Sequence, residues 1–532
     1  MVSLALSLWL AHAFPLVDPD EGRNAEVARE MAESRDFLIP QLAGMPYLDK
    51  PPALFWGTAL AIGLLGRSPW AARLPAAIAA ALVVWLVCDL AAKRAGDAFA
   101  LRASLLLLSA PLFAVMSAYV IFDMPLALCV TAVWTRIVDE VDRGPTVSGR
   151  LVMFGAVALG ILIKGPVMLA WAVGGSLGAT LALRSRAPLR WLAWAAGWAI
   201  VAVTAGGWFA LASVRHPEYP HYALLEESLE RLGSGSFHRD QPLWFVPAVL
   251  IGGALPWSLA TPWHRDASPA GRVALGFVVF AALFFTASRS KLVTYLLPAL
   301  PPLAWLAAEA WSSGHRAARG AWVTAALYLA LAASLVVAGA MLGESARAAL
   351  GEDGARAFQR LSIALAALAL LAAGFAARRP ALGFVPSLAF TPVVLFLIHP
   401  ALLRRAEAES GAPLARAIAA AAPSARVRYE YCYSPGTDFL LGRTSALVSP
   451  RGVESTSNYQ VRYRKLLIER GRWTAVQSPD GTAAAGVIVR SARDSRPAPA
   501  GMVEFYRDRR FAAYRAAGAG GLSAGDSAGR SH

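Results

Sequence analysis

The chain has 532 residues, of which 57% are hydrophobic and 16% charged, with a formal net charge of +15. The apolar residues come in long runs rather than alternating with charge, which excludes an ordinary soluble globular domain. Arginines gathered in short loops beside those runs reflect membrane topology and anionic headgroups, which argues against nucleic acid as a partner and makes membrane lipids the expected surroundings.

In chain order, charge-poor runs near the length of a spanning helix recur from 2–17 to 381–398, and about 13 spans are predicted. The first run lacks a basic n-region and ends in FPLVDPD rather than a small-residue cleavage site, so it reads as a retained span and not a signal peptide. Ala53–Leu65 is apolar but short, the length of a re-entrant or interfacial helix. Cys88 and Cys129 lie in apolar runs and Cys432 stands alone later, so no disulfide framework is implied.

Numbering the spans from a cytoplasmic N-terminus places the short basic loops with Lys93, Arg94, Arg143, Arg150, Arg184 and Arg186 inside, as the positive-inside rule prefers. The same numbering gathers the unusual polar motifs on the other, periplasmic face: 18–50, 122–123, 164–165, 215–240 and 288–291. No charge falls at the middle of a span, so no ion pathway is indicated. Residues 1–400 thus form a transmembrane domain, with 18–70 as its first extracytoplasmic loop. Residues 401–515 read as a small soluble α/β domain: a helix over 413–421, then strands in ARVRYEYCY, AAGVIVRSA and GMVEFYRDRRFAAYRA. Residues 516–532, rich in Gly, Ala and Ser, read as a disordered tail.

Within the first loop, 24–34 has helical spacing, with Ala25, Ala28 and Met31 on one side and Glu26, Arg29, Glu30 and Glu33 on the other, which suits a helix lying in the membrane interface. Asp20 and Glu21 stand at its start, where a carboxylate is stabilised by the helix dipole and the bland reading of Asp20 is a cap. Lys50 precedes Pro51 and Pro52, which fix the backbone and present the lysine at the mouth of the apolar segment. Such a lysine is often a snorkelling anchor. Its neighbours Tyr47 and Asp49, and a second lysine, Lys164, in a similar IKGP turn on the same face, point instead to an anion.

DPDEGRNAEVAREM, PYLDKPPALFW, FDMPLA, ILIKGPV, FHRDQPLWFV and SRSKLVTYLLPALPPLA occur in that order. Together they resemble the bacterial lipid A aminoarabinose transferases and related polyprenyl-phosphate-dependent glycosyltransferases of the GT-C class, over roughly residues 1–399. The resemblance implies a mainly α, polytopic GT-C fold. It implies Asp20, with Arg23 beside it, and Asp123 as the catalytic or acceptor-positioning groups. Lys50, Tyr47, Lys164, Arg239, Lys291 and Tyr295 match positions expected to hold the carrier phosphate. No cofactor is required by this chemistry. Some family members bind zinc through the acid before the KPP lysine and a histidine; here those positions are Asp49, shorter than the usual glutamate, and His238.

The implied reaction takes a sugar from a polyprenyl-phosphate carrier and gives it, with inversion, to an acceptor at the outer face of the bacterial inner membrane. The acceptor is lipid A, another envelope glycan or a protein hydroxyl, the last being the protein O-mannosyltransferase activity of the same class. A flippase for lipid-linked sugars is the alternative from another class. It predicts inverted repeats and broken helices with polar residues at the midplane, which the sequence does not display. A non-catalytic scaffold leaves the ordered motifs unexplained.

Overall fold

The computed structural model describes residues 2–230, 241–261, 263, 266–312, 314–341, 344–475 and 486–517. Backbone polar groups have no water to bond in a bilayer core, so runs of Ala, Leu and Val there close their hydrogen bonds within helices. Among the described residues, seven helices are long and apolar enough to cross a membrane: Pro69–Ala95, Val147–Lys164, Ala195–Arg215, Pro269–Ala287, Arg316–Met341, Arg356–Arg378 and Pro380–Glu409. Shorter apolar helices include Ala53–Leu65 and Val167–Leu183. The chain is a multi-pass membrane protein, and it divides into two units.

The first unit comprises Met1–Phe14, Lys50–Ala61 and Pro69–Arg404. Its helices meet through small residues and interleaved aromatics. A Cβ on Gly178 would lie 2.3 Å from the carbonyl oxygen of Gly276, so Val167–Leu183 and Pro269–Ala287 are in backbone contact, the close approach that drives helix association in lipid. Trp134, fully buried, meets Trp305 edge-on at 5.9 Å, and Phe99 meets Trp305 at 5.0 Å. Asp123–Arg143 and Val147–Lys164 form an antiparallel hairpin through a short turn. Gly144 takes a left-handed φ of 83° there, and the Thr146 side chain caps the second helix by accepting from the Gly149 N–H at 3.1 Å.

The second unit comprises Pro15–Asp49, Ile62–Ser68 and Arg405–His532, so the first loop is grouped with the C-terminal residues rather than with the spans that flank it in sequence. Its five-stranded sheet runs 446–448, 427–430, 487–491, 511–516, 502–507 in space. Val427–Glu430 pairs in parallel with both neighbours, whereas Val487–Ser491, Phe511–Ala516 and Met502–Arg507 pair antiparallel, with a register shift between Glu504 and Tyr506. The expected helix is present as Ala412–Ala421. Pro435–Leu441 and the strand Ala446–Val448 were not anticipated; Ser434 caps the former by accepting from the Thr437 N–H. The expected tail beyond residue 517 lies outside the described residues.

The first-loop helix is Asp20–Ser34, and most of its charged stripe is buried: Glu26, Arg29 and Glu30 are 0%, 2% and 6% exposed, whereas Glu33 is exposed. The reason is that each charge has a partner. Arg29 donates to Glu26 at 2.7 and 2.5 Å, to Glu33 and to Thr444 at 2.9 Å; Glu30 accepts from the N–H groups of Ala43 at 2.7 Å and Gly44 at 3.0 Å. A charged side so satisfied need not seek solvent.

Asp438 lies within the electrostatic reach of Glu26, Glu30, Arg29 and Tyr433. Burial pushes its carboxyl up to about 7, against two bonds from Ser445, N–H at 3.0 Å and Oγ–H at 2.6 Å, that favour the charged form. Burial likewise raises Glu30, against the bonds from Gly44 and Ala43. Such groups bind more protons folded than unfolded, so stability falls as pH rises from about 4 towards 7. The unfolding transition of the second unit is therefore expected several degrees lower at pH 7.5 than at pH 5.5, followed by thermal denaturation of the full chain in detergent. Asp438→Asn should flatten the slope; a wild-type transition independent of pH would refute the account.

Candidate active site

In the second unit the D-P-D-E-G-R segment is built around Asp18, which is 7% exposed. Its carboxylate accepts from Ser434 Oγ at 2.6 Å and Gly436 N at 3.0 Å, with Arg510 at 3.4 Å, while its own N–H donates to Glu409 O at 3.0 Å. Gly22 permits this: a Cβ there would fall 1.9 Å from Asp18 Oδ1 and 2.7 Å from Gly436 N. The segment is thus clamped from one side, and Asp20 is left on the other, its side chain 54% exposed in the first helical turn. It makes no capping bond. Instead it pairs with Arg23 at 2.6 Å.

Arg23 is 15% exposed and its other terminal nitrogen donates to Thr456 Oγ1 at 2.6 Å. Burial pulls its pKa down, but the fields of Tyr47, Asp20 and Asp49 outweigh that and leave it raised, so it is held as a cation. Asp49, 7% exposed, accepts from the Tyr459 N–H at 3.0 Å. Asp20, Arg23, Tyr47 and Asp49 therefore share one electrostatic neighbourhood.

The first unit holds the lysines. Lys50, 18% exposed beside its two prolines, donates to the Glu227 carboxylate. Asp123 opens its helix, is 2% exposed, and accepts from Lys164 Nζ at 2.5 Å. Lys164 ends the other arm of the hairpin, and its ammonium lies 4.5 Å from the Tyr295 ring centroid, a cation–π contact. Phe55, in the helix after Lys50, packs edge-on against Phe122 at 5.5 Å. Lys291, 7% exposed, donates to Gln241 O at 3.1 Å.

The structure thus brings Asp123, Lys164 and Tyr295 together in one unit and Asp20, Arg23, Tyr47 and Asp49 together in the other. Arg239 and His238 lie outside the described residues. Asp18, Glu227 and Thr456 were missed by sequence reasoning. Only Asp18 carried a signal, a second acid two residues before Asp20 with a glycine following closely. For zinc, the described residues contain no group of three His, Cys, Asp or Glu side chains suited to a metal ion. Tyr459 N–H engages Asp49 Oδ1 at 3.0 Å, and the other expected ligand, His238, lies outside the described residues.

Removing one partner of a buried ion pair leaves the other uncompensated. Asp123→Ala is accordingly expected to destabilise the first unit by about 3–5 kcal/mol, read from denaturation in detergent. Asp123→Ala/Lys164→Met should regain most of that stability without regaining transfer. A double variant restored in both would make the pair purely structural.

The description "Dolichyl-phosphate-mannose-protein mannosyltransferase" belongs to a family model that matches residues 49–208, the stretch containing Lys50, Asp123 and Lys164. The undecaprenyl phosphate-alpha-4-amino-4-deoxy-L-arabinose arabinosyl transferase of Aeromonas salmonicida is 31% identical over 55% of this chain and 56% of its own length. That of Pectobacterium carotovorum is 32% identical over 62% and 61%. The chain thus spans little more than half the length of these curated relatives. Likeness in structure runs further: the crystal structure of ArnT from Cupriavidus metallidurans bound to undecaprenyl phosphate superposes with a TM-score of 0.80 at 25% identity, over 98% of both chains.

The fold is that of the GT-C membrane glycosyltransferases. Within that class the chain resembles the bacterial undecaprenyl-phosphate-dependent aminoarabinose transferases.

Proposed function

We propose that the protein transfers a sugar from a polyprenyl-phosphate carrier to an envelope acceptor at the periplasmic face of the bacterial inner membrane. By likeness to the relatives the sugar is a 4-amino-4-deoxy-arabinose and the carrier undecaprenyl phosphate; lipid A is taken as the acceptor from the motif resemblance. The single observation that carries this reading is the likeness over 98% of both chains to a structure holding undecaprenyl phosphate.

The residues suit that chemistry. An acceptor oxygen attacks the anomeric carbon, the bond from that carbon to the carrier's phosphate oxygen breaks, and negative charge collects on the departing phosphate. Lys50, fixed by Pro51 and Pro52, is a pre-aimed donor for that charge, and Lys164 and Lys291 are further cations on the same unit. Asp20, exposed yet held by Arg23, accepts the acceptor's proton or orients its oxygen. A single displacement inverts the anomeric centre.

The test is release of free undecaprenyl phosphate from the carrier-linked sugar by the purified protein with lipid A present, and the mass gain of the acceptor. Both together support the transferase. Carrier binding without turnover against any envelope extract would favour the flippase reading and overturn this one.

A further inference from the structure

The hairpin of Asp123–Arg143 and Val147–Lys164 has a second polar end. The longer helix, 21 residues, rises about 30 Å, the thickness of a bilayer's hydrocarbon core. The Asp123–Lys164 pair closes one end of the hairpin and the Arg143–Val147 turn the other; Val147–Lys164 is long and apolar enough to cross a membrane, which would put that turn on the opposite side. There the structure holds a cavity of ≈ 200 Å³ lined by Lys93, Arg136, Asp139, Glu140, Arg143, Gly144, Thr146, Gly149 and Arg150.

Its lining carries four cations against two carboxylates. The carboxylates are already engaged: Asp139 by Arg94 at 2.6 Å and Arg136 at 3.0 Å, Glu140 by Arg150 at 2.8 Å. Lys93 lines the cavity and donates to Asp89 at 2.6 Å. Arg143 has no acidic partner among the described residues and stands exposed at the rim. Loop charge alone would satisfy the positive-inside tendency. A concave wall of guanidinium groups, with the neighbouring acids consumed and one cation unspent, is a better match for an anion of tetrahedral, multi-acceptor geometry. The volume falls below the roughly 300–1,000 Å³ of pockets that enclose a drug-sized ligand, which suits a group the size of a phosphate.

We propose that this cavity, on the face opposite the Asp123–Lys164 pair, binds a phosphate group, either that of an anionic phospholipid in the facing leaflet or a soluble phosphate. The proposal is independent of the transfer reaction.

The full chain in detergent is titrated with phosphatidylglycerol, with phosphatidylcholine and with inorganic phosphate, following retained lipid by native mass spectrometry and stabilisation by thermal shift. Wild type should retain phosphatidylglycerol over phosphatidylcholine. Arg143→Gln removes charge-assisted hydrogen bonds to the phosphate, so it should weaken retention about ten-fold, and Lys93→Gln/Arg143→Gln should weaken it further. Both side chains reach solvent, so neither change threatens folding. Arg186→Gln removes an exposed charge in the next loop on the same face and should change nothing. Stabilisation by inorganic phosphate, lost in Arg143→Gln, would identify a soluble anion; none, with lipid retention, identifies the headgroup. Equal binding by Arg143→Gln and wild type, or an equal loss in Arg186→Gln, would overturn the site in favour of diffuse surface charge.

Discussion

Asp20→Asn is expected to lower the rate of sugar transfer about 10²–10⁴-fold while leaving affinity for the carrier within about two-fold. The substitution keeps the shape of the side chain and removes only its charge and basicity. It also leaves Arg23 supported by Thr456 and by the fields of Tyr47 and Asp49, so the local structure has other anchors. A split between kcat and carrier Kd is therefore the signature to seek, with single-turnover kinetics for the first and direct titration for the second. If transfer continues at the wild-type rate, Asp20 is no more than a carboxylate at a helix N-terminus, worth about 0.3–1 kcal/mol of stability.

The second large effect concerns Lys50. Lys50→Ala should lose about 10²–10³-fold in turnover, the usual cost of deleting one donor aimed at developing charge, and should weaken carrier binding as well. Its observed partner adds a reciprocal test. The Glu227 carboxylate holds one of the three ammonium donors that a phosphate could use, so it competes with the carrier for the lysine's charge. Glu227→Gln removes that competitor and is expected to tighten polyprenyl-phosphate binding several-fold. Full activity in Lys50→Ala would return the lysine to its bland role as an interfacial anchor.

What the sequence could and could not show has physical causes. Strands 427–430, 487–491 and 511–516 were readable because β-branched and aromatic residues concentrate there between charged turns. The helix at Asp20–Ser34 was readable from its period, but its burial was not. Periodicity sorts a helix surface into apolar and polar sides, and only a tertiary partner such as Thr444 tells whether a polar side meets water or hydrogen bonds. Lys164 and Asp123 could be placed on one face by counting spans, and their direct pairing then follows from the short turn that folds the two helices together. Glu227 could not be found: it is one of several acids in 218–230, and nothing local marks which of them reaches a lysine 177 positions away. Short segments such as Pro435–Leu441 also escape, because a seven-residue helix carries too little periodicity to stand out.

The clamp on Asp18 has a consequence for biosynthesis. Ser434, Gly436 and Arg510, which hold it, belong to the last fifth of the chain, whereas Asp18 emerges shortly after the first helix, Val2–Ala13. At about 5–20 residues per second, a ribosome needs on the order of half a minute to a minute and a half between making the carboxylate and making its partners. Through that interval the Asp20 segment has none of those partners, so its arrangement is completed only near the end of synthesis. A chain cut short before Arg510 keeps its spans and its basic loops, yet lacks part of the clamp, which couples the ordering of the acidic motif to arrival of a full-length product.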